Sequence, residues 1–496
     1  MKKLNLLLAL VFLLGAGIRA IDVGHPVDRP SWRECDVAGI ARSYDREGMN
    51  LFYPRVDWRG NGPGYAEMEF PVYPWLIAWG YQFFGFHEPI GRIINYVFSL
   101  LTLLVFFKLA RYLLPPWGTI TAAIFFTFNP LLINVSNSLQ PEGLMFLCYV
   151  LAGYLFIRWL DNESKWYLLG ACMATAAAIL AKATAAHIGL LFALLLLSKY
   201  GLGAIRQPRL WLFGLGALLP GAWWYKHAHQ FWLQYGNSLG VSNEYHWAGL
   251  DLFTNPSYLL GIARSELLYV WMLTGVFLAG AALFWKWREK PVKYGVFWFV
   301  AAMVYYLIAA RTTGDQWAAY YHIASVPGVA LLVGSGVEAL RQLKPEAQWT
   351  RFARVAGFVS LLGVVALQAR QITVDAKHWQ ASPLRSCAES FAAMMPKEEL
   401  MLVTGGVCRD EGYPVAYNAS FMLYWADRKG FNVCIEEQSL EAVATFIKRG
   451  AKYYLAAKST FRQKKQLEED LRRTYPVLAE CDDYCLFQLK PHDVRD

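Results

Sequence analysis

Charge is what this sequence has least of. Only 17% of its 496 residues are Asp, Glu, Lys or Arg, against 56% apolar and 16% aromatic. That balance excludes an ordinary soluble protein. The sparse charges fall in blocks between apolar runs long enough to cross a bilayer, which takes about 20 residues per helix. A net charge of +9 would suit a nucleic-acid partner. The excess Lys and Arg instead lies in short loops that alternate along the chain, the bias of a multispanning protein's inner loops. Nucleic acid is therefore not a partner, and the lipid bilayer is. There is no Walker loop, GxSxG elbow, HExxH pair or dinucleotide fingerprint in a supporting context, so those chemistries and their cofactors are set aside.

The eight cysteines include no CxxC pair. Cys148 and Cys172 sit in apolar spans as inert core residues. Cys35, Cys387, Cys408, Cys434, Cys481 and Cys485 all fall on the external side. An even number in an oxidising compartment points to disulfides, with the pairing left open. No metal is expected, because Cys481 and Cys485 lack a second pair at ligand spacing.

Basic blocks give the topology. Residues 4–20, behind Lys2 and Lys3, read as a retained first span, because Ile18-Arg19-Ala20 is a poor cleavage site. An external loop follows, 22–88, and then spans at 90–112, 117–137 and 141–160. The apolar run 166–198 would measure about 50 Å as one helix, too long for the hydrocarbon core. Both of its ends carry basic inner markers, so it must fold as a hairpin turning near Lys182. Spans at 210–227, 260–285, 294–310, 318–340 and 355–370, with a second external loop at 228–259, bring the count to about eleven.

The chain divides at residue 370 into a transmembrane domain, 1–370, and an external tail, 371–496. In the tail, charge density rises and short apolar runs appear at Leu400–Thr404, Tyr453–Ala457 and Cys485–Leu489. Amphipathic segments at Ser439–Arg449 and Phe461–Tyr475 lie between them. Strands alternating with helices predict a small α/β domain. No internal repeat, inverted halves or low-complexity linker is present.

Three features on the outer face could carry chemistry. The loop Ser31–Trp75 is rich in carboxylates, with Asp36 opening a predicted amphipathic helix (Asp36–Glu47) and Glu67 and Glu69 just before Phe70-Pro71. A carboxylate there could serve as a general base. Arg92, Lys182, Arg264, Arg311 and His322 stand at the outer ends of spans. Charges at membrane depth are costly and are retained for function or pairing, although a Lys can also snorkel to the interface. Leu139-Gln140-Pro141-Glu142-Gly143 is a tight external turn with one carboxylate, which the helix dipole alone would also favour. An acidic loop opposite a ring of cations suits a lipid-linked phosphate.

The order of these segments resembles the bacterial relatives of dolichyl-phosphate-mannose protein mannosyltransferases, which include the lipid A aminoarabinose transferase, within the C-type membrane glycosyltransferases. Asp36-Val37-Ala38-Gly39-Ile40-Ala41-Arg42 resembles the family's acidic-loop helix, and Glu69-Phe70-Pro71-Val72-Tyr73-Pro74-Trp75-Leu76 its proline-rich segment. Gly91-Arg92-Ile93, Gln140-Pro141-Glu142, Lys182 and Tyr320-Tyr321-His322 stand at the places of its other signatures. In the tail, Tyr424 through Gly430 and Gly450 through Tyr454 resemble its soluble-domain motifs. Three positions depart from the pattern: Val37 replaces a second acid, Phe70 stands where some members carry Lys, and Val72 replaces a second Pro.

The resemblance implies a polytopic α-helical fold with an external α/β domain. It also implies metal-independent, inverting transfer of a sugar from a polyprenyl-phosphate donor to a glycolipid, cell-wall polymer or protein at the periplasmic face of a bacterial inner membrane. Asp36, with Glu69 behind it, would act as base or acceptor positioner. Lys182, Arg92, Arg264, Arg311 and His322 would hold the donor phosphate, and Glu67, Glu142, Tyr320 and Tyr321 would line the substrate. The rival reading is a transporter or flippase for the same lipid, which would need polar groups near mid-membrane and repeated halves.

Overall fold

Prolines open many of the helices. Pro116, Pro130, Pro208 and Pro256 each stand at a first helical position, where the missing N–H costs nothing and the fixed φ suits the helix. The computed structural model describes residues 2–241, 254–343, 382–410 and 420–489, with isolated positions elsewhere. In chain order the first helices are α1 (Lys2–Ala20), α2 (Trp32–Glu47), α3 (Val72–Phe84), α4 (Pro89–Leu113) and α5 (Pro116–Thr127). They are followed by α6 (Pro130–Asn137), α7 (Glu142–Asn162), α8 (Lys165–Ala181), α9 (Ile188–Tyr200) and α10 (Pro208–Tyr235). Next come α11 (Pro256–Ser265), α12 (Thr274–Lys286), α13 (Lys290–Ile308), α14 (Ala310–Thr313) and α15 (Val326–Gln342).

Among the described residues six helical stretches are long and apolar enough to cross a membrane: α1, α4, α7, Ala183–Arg206, α13 and Ala318–Gln342. Two bent pairs, α5 with α6 at 50° and Pro256–Val270 with α12 at 91°, raise the number to eight if each is one span. About eleven were expected. The 17-residue α8 is too short to be counted, and the expected span at 355–370 lies mostly outside the described residues. The long apolar run breaks where it was expected to. Lys182 leaves α8 with extended backbone (φ −161°, ψ 121°), and a short 3₁₀ turn, Ala183–His187, leads into α9.

The chain resolves into two compact units. The first comprises residues 1–24, 92–224 and 246–379. Its core stacks Phe106 on Phe126 at 3.8 Å and buries Tyr149 against Trp298 at 5.8 Å. Arg19 at the end of α1 is buried and donates to Ser99 Oγ on α4 at 3.0 Å. The bends are held by one side chain. Asn129 caps α6, accepting from Leu131 N at 3.1 Å and Leu132 N at 3.4 Å. Its amide donates to Tyr269 O at 3.0 Å and Val270 O at 3.3 Å, carbonyls of the single π-turn Glu266–Val270. Irregular backbone at membrane depth persists only where such groups are satisfied within the protein.

The second unit comprises residues 25–91, 225–245 and 380–496. The carboxylate-rich loop therefore groups with the tail and not with the spans. Its strands are β1 (Leu400–Thr404), β2 (Arg409–Asp410), β3 (Tyr413–Pro414), β4 (Gly430–Val433), β5 (Ala451–Ala457), β6 (Val477–Glu480) and β7 (Tyr484–Gln488). Five form one sheet in the order β4-β1-β5-β7-β6, parallel across β4-β1-β5 and antiparallel beyond. Leu402, Tyr454 and Phe487 fill its core. Strands and helices alternate in these residues, with β4 and β6 unforeseen. The expected helix Phe461–Tyr475 divides into Lys458–Gln463 and Lys465–Thr474.

Two disulfides, Cys387–Cys481 and Cys408–Cys434, fasten this unit, while Cys35 and Cys485 are buried thiols. The loop docks on the sheet edge through backbone: Gly60 N donates to Gly430 O at 2.7 Å and Gly430 N to Asp57 O at 3.0 Å. Gly60 has φ +55°, and a Cβ there would meet the Phe431 ring at 2.2 Å. Only glycine fits.

Candidate functional site

The second unit presents the acidic residues. Ser31 caps α2, accepting from Glu34 N at 3.3 Å, and the helix carries Asp36 inward to 2% exposure. Burial pushes the Asp36 carboxyl well above the usual range, outweighing the Arg33 cation and the Ser420 hydroxyl that pull it down. Arg33, three residues earlier, forms an ion pair with Glu69. One guanidinium thus stands between the two predicted catalytic acids. Glu67 takes other partners, the Ser238 hydroxyl at 2.5 Å and His229 Nδ1 at 2.9 Å.

Arg42 anchors the same helix to the tail. It donates to Asp57 at 2.9 Å and to Tyr424 O at 2.9 Å, pairs with Asp427 at 2.9 Å, and lies 4.7 Å from the Tyr424 ring centre. Two segments picked out by resemblance, 36–42 and 424–430, are therefore one contact.

The first unit holds the cations. Lys182, freed from α8 by the extended break, is buried at 7% exposure and ion-paired to Glu142. Its ammonium lies 4.2 Å from the Tyr321 ring centre and 5.2 Å from that of Tyr320. Lys182, Glu142, Tyr320 and Tyr321, drawn from three distant segments, converge. Arg92 belongs to the same unit and is buried, with its guanidinium on Asn137 O. Arg311 is also buried, and Arg264 is exposed. His322 is fully buried and turned elsewhere: Nδ1 meets Glu266 at 2.8 Å and Nε2 meets Thr313 O at 2.9 Å. Ser325 completes that cluster, donating to Glu266 at 2.9 Å.

Near Glu266 a groove of about 530 Å³ is lined by Ile262, Leu267, Trp271, Leu283, Phe299 and Met303 among others, nearly all apolar. Sequence reasoning missed Glu266, although a single carboxylate in an apolar span is a recognisable signal. It also missed Arg33, which lies on the same face of α2 as Asp36, and His229.

The fold of the chain is similar to that of several solved proteins. The chain is similar over 97% of its length, and 97% of the other, to ArnT from Cupriavidus metallidurans bound to undecaprenyl phosphate, at 15% identity and a TM-score of 0.61. The apo state of the same protein gives 16% identity, 98% of each chain and a TM-score of 0.63. The archaeal oligosaccharyltransferase AglB from Archaeoglobus fulgidus, in complex with an inhibitory peptide and a dolichol-phosphate, matches at 12% identity. That match has a TM-score of 0.57 and covers 91% of this chain and 69% of the other.

Residues 68–225 match the family model of the dolichyl-phosphate-mannose-protein mannosyltransferases, which bears out the resemblance drawn from the sequence. No curated protein matches the chain.

Proposed function

We propose that the chain transfers a sugar from a polyprenyl-phosphate-linked donor to an acceptor, with inversion, at the periplasmic side of a bacterial inner membrane. The observation that carries this reading is Lys182: a buried ammonium at a helix break, held between Glu142 and the Tyr320 and Tyr321 rings. Preorganised cations stabilise the charge that develops on a leaving phosphate, without a metal ion. Lys182, Arg92 and Arg311 take that role, joined by Arg264, and His322 acts from behind through Glu266. Glu142, Tyr320 and Tyr321 border the donor head group, and the apolar groove beside Glu266 suits a polyprenyl chain.

The acceptor oxygen attacks the anomeric carbon on the face opposite the phosphate. The carbon–oxygen bond to phosphate breaks, and the polyprenyl phosphate leaves with the electron pair. Asp36, with Glu69 and Glu67 in the same loop, orients the acceptor, which is a glycolipid, a cell-wall polymer or a protein. The tail, 371–496, is a periplasmic domain that helps to select it.

The two broken helix pairs also suit a transporter or flippase of the same lipid. In proteoliposomes the two readings separate, since a transferase consumes the donor and a flippase only moves it. Asp36→Asn, in protein that still inserts, should lower transfer at least about tenfold. Transfer near the wild-type rate would remove Asp36 from the site.

A further inference from the structure

Phe83 and Phe84, at the end of α3, are 72% and 74% exposed, and Trp79 and Phe86 are exposed beside them. Residues four apart share a helix face, and Trp75, Trp79 and Phe83 form such a row. Trp79 is edge-on to Trp75 at 5.7 Å and stacked on Phe83 at 5.6 Å between ring centres. The helix, Val72–Phe84, carries no charged residue. Its other face is covered within the second unit: Tyr73, Ile77, Ala78 and Tyr81 are buried, and Ala78 shares an apolar cluster with Ile40 and Tyr44 of α2. The Gln82 amide adds a bond to Asp45 Oδ1 at 3.0 Å. The helix α3 is thus clamped to the helix that bears Asp36, and turns a row of rings outward.

An exposed apolar patch of this kind is covered in use by a protein or by a membrane. Chain connectivity favours the membrane. Only residues 85–88 separate α3 from α4, which is long and apolar enough to cross a bilayer. A fully extended chain advances at most about 3.6 Å per residue, so Phe84 lies within about 18 Å of Pro89, the first residue of α4. Rings tethered so close to the start of a span meet the membrane interface, the layer in which aromatic side chains collect. We propose that α3 lies in that interface, with Trp79, Phe83 and Phe84 set about 5–10 Å into the boundary between head groups and acyl chains. The bilayer then fixes the height of α2, and of the Asp36 carboxyl on it, through the contacts with α3. Because α3 has no cation, the anchoring comes from apolar burial and depends neither on anionic lipid nor on ionic strength.

The test uses the full chain in nanodiscs of phosphatidylcholine, with a fluorescent amino acid in place of Phe83. Lipids brominated high in their acyl chains should quench this probe, lipids brominated at the chain ends should quench it less, and dissolved iodide should not reach it. Raising the salt, or adding phosphatidylglycerol, should leave the quenching unchanged. In a second chain the probe replaces Trp79, and Phe83→Asp with Phe84→Asp should abolish its quenching by lipid. A probe at 83 reached by iodide and not by brominated lipid overturns the proposal. So does one quenched best from the chain ends, which makes α3 part of a span, and one shielded from both quenchers, which marks a protein cover. Quenching that falls away at high salt, or that survives both aspartates, also overturns it. None of these outcomes bears on the glycosyl-transfer reading, which stands or falls on donor consumption.

Discussion

Removing the Arg42 guanidinium should loosen the second unit more than any other single change in the loop. Arg42 is 5% exposed and Asp57 is 8% exposed, so Arg42→Ala leaves a buried carboxylate without its cation and strips Tyr424 O of a donor. Breaking a buried pair on one side costs about 3–5 kcal/mol. For a unit of roughly two hundred residues, each kcal/mol moves the midpoint by about 2–4 °C, so the apparent Tm should fall by about 6–20 °C. Differential scanning fluorimetry of the purified chain, with limited proteolysis of the tail, would measure it. Arg42→Lys keeps the charge but not the two-pronged geometry and should fall between. Pairing Arg42→Ala with Asp57→Asn should recover part of the loss, because the stranded charge is gone. A shift of less than about 2 °C for Arg42→Ala would refute the argument, as would a double variant no better than the single one.

Three further outcomes follow from the same contacts. Asp36→Asn should change how stability depends on pH: with the native carboxyl held well above its ordinary value of 3.8, wild type loses stability as pH rises from there through the raised value. The Asn variant should gain on wild type as pH rises above 3.8 in paired melts, and a difference constant with pH would contradict this. Lys182→Ala, which strands Glu142, should raise the donor KM by about tenfold or more, with Lys182→Ala/Glu142→Gln better folded yet no more active, as judged by thermal melts and donor titration. Reducing both disulfides, which close loops of 94 and 26 residues, should destabilise the second unit by about 3–5 kcal/mol each, read as a lowered denaturation midpoint under reductant.

The legible parts of the fold were those governed by one-dimensional rules. The break at Lys182 follows from basic residues at both ends of one apolar run, and β1 follows from the apolar run Leu400–Val403. The bent pairs were read as straight spans, because a bend depends on whether a distant side chain can satisfy the opened backbone. For α5 and α6 that side chain is Asn129, and its partners lie 140 residues away. The helix α3, Val72–Phe84, was hidden inside the stretch 22–88 read as one loop, although it is apolar but for Gln82. In the site, the converging of Lys182, Glu142, Tyr320 and Tyr321 could be guessed from shared outer-face placement. The pairing of His322 with Glu266 could not, because burial and not sequence position turned the ring toward a carboxylate 56 residues away.

Asn129 also sets an order of events during synthesis. Its amide donates to carbonyls of residues 269 and 270, which leave the ribosome about 140 residues after it. At about 5–20 residues per second this is a wait of roughly 7–28 s, during which the α5–α6 bend carries a polar amide without its acceptors. The bend must stay wet, pair with a chaperone, or remain straight until Glu266–Val270 arrives. The first half of the chain is therefore committed to its final shape by the second.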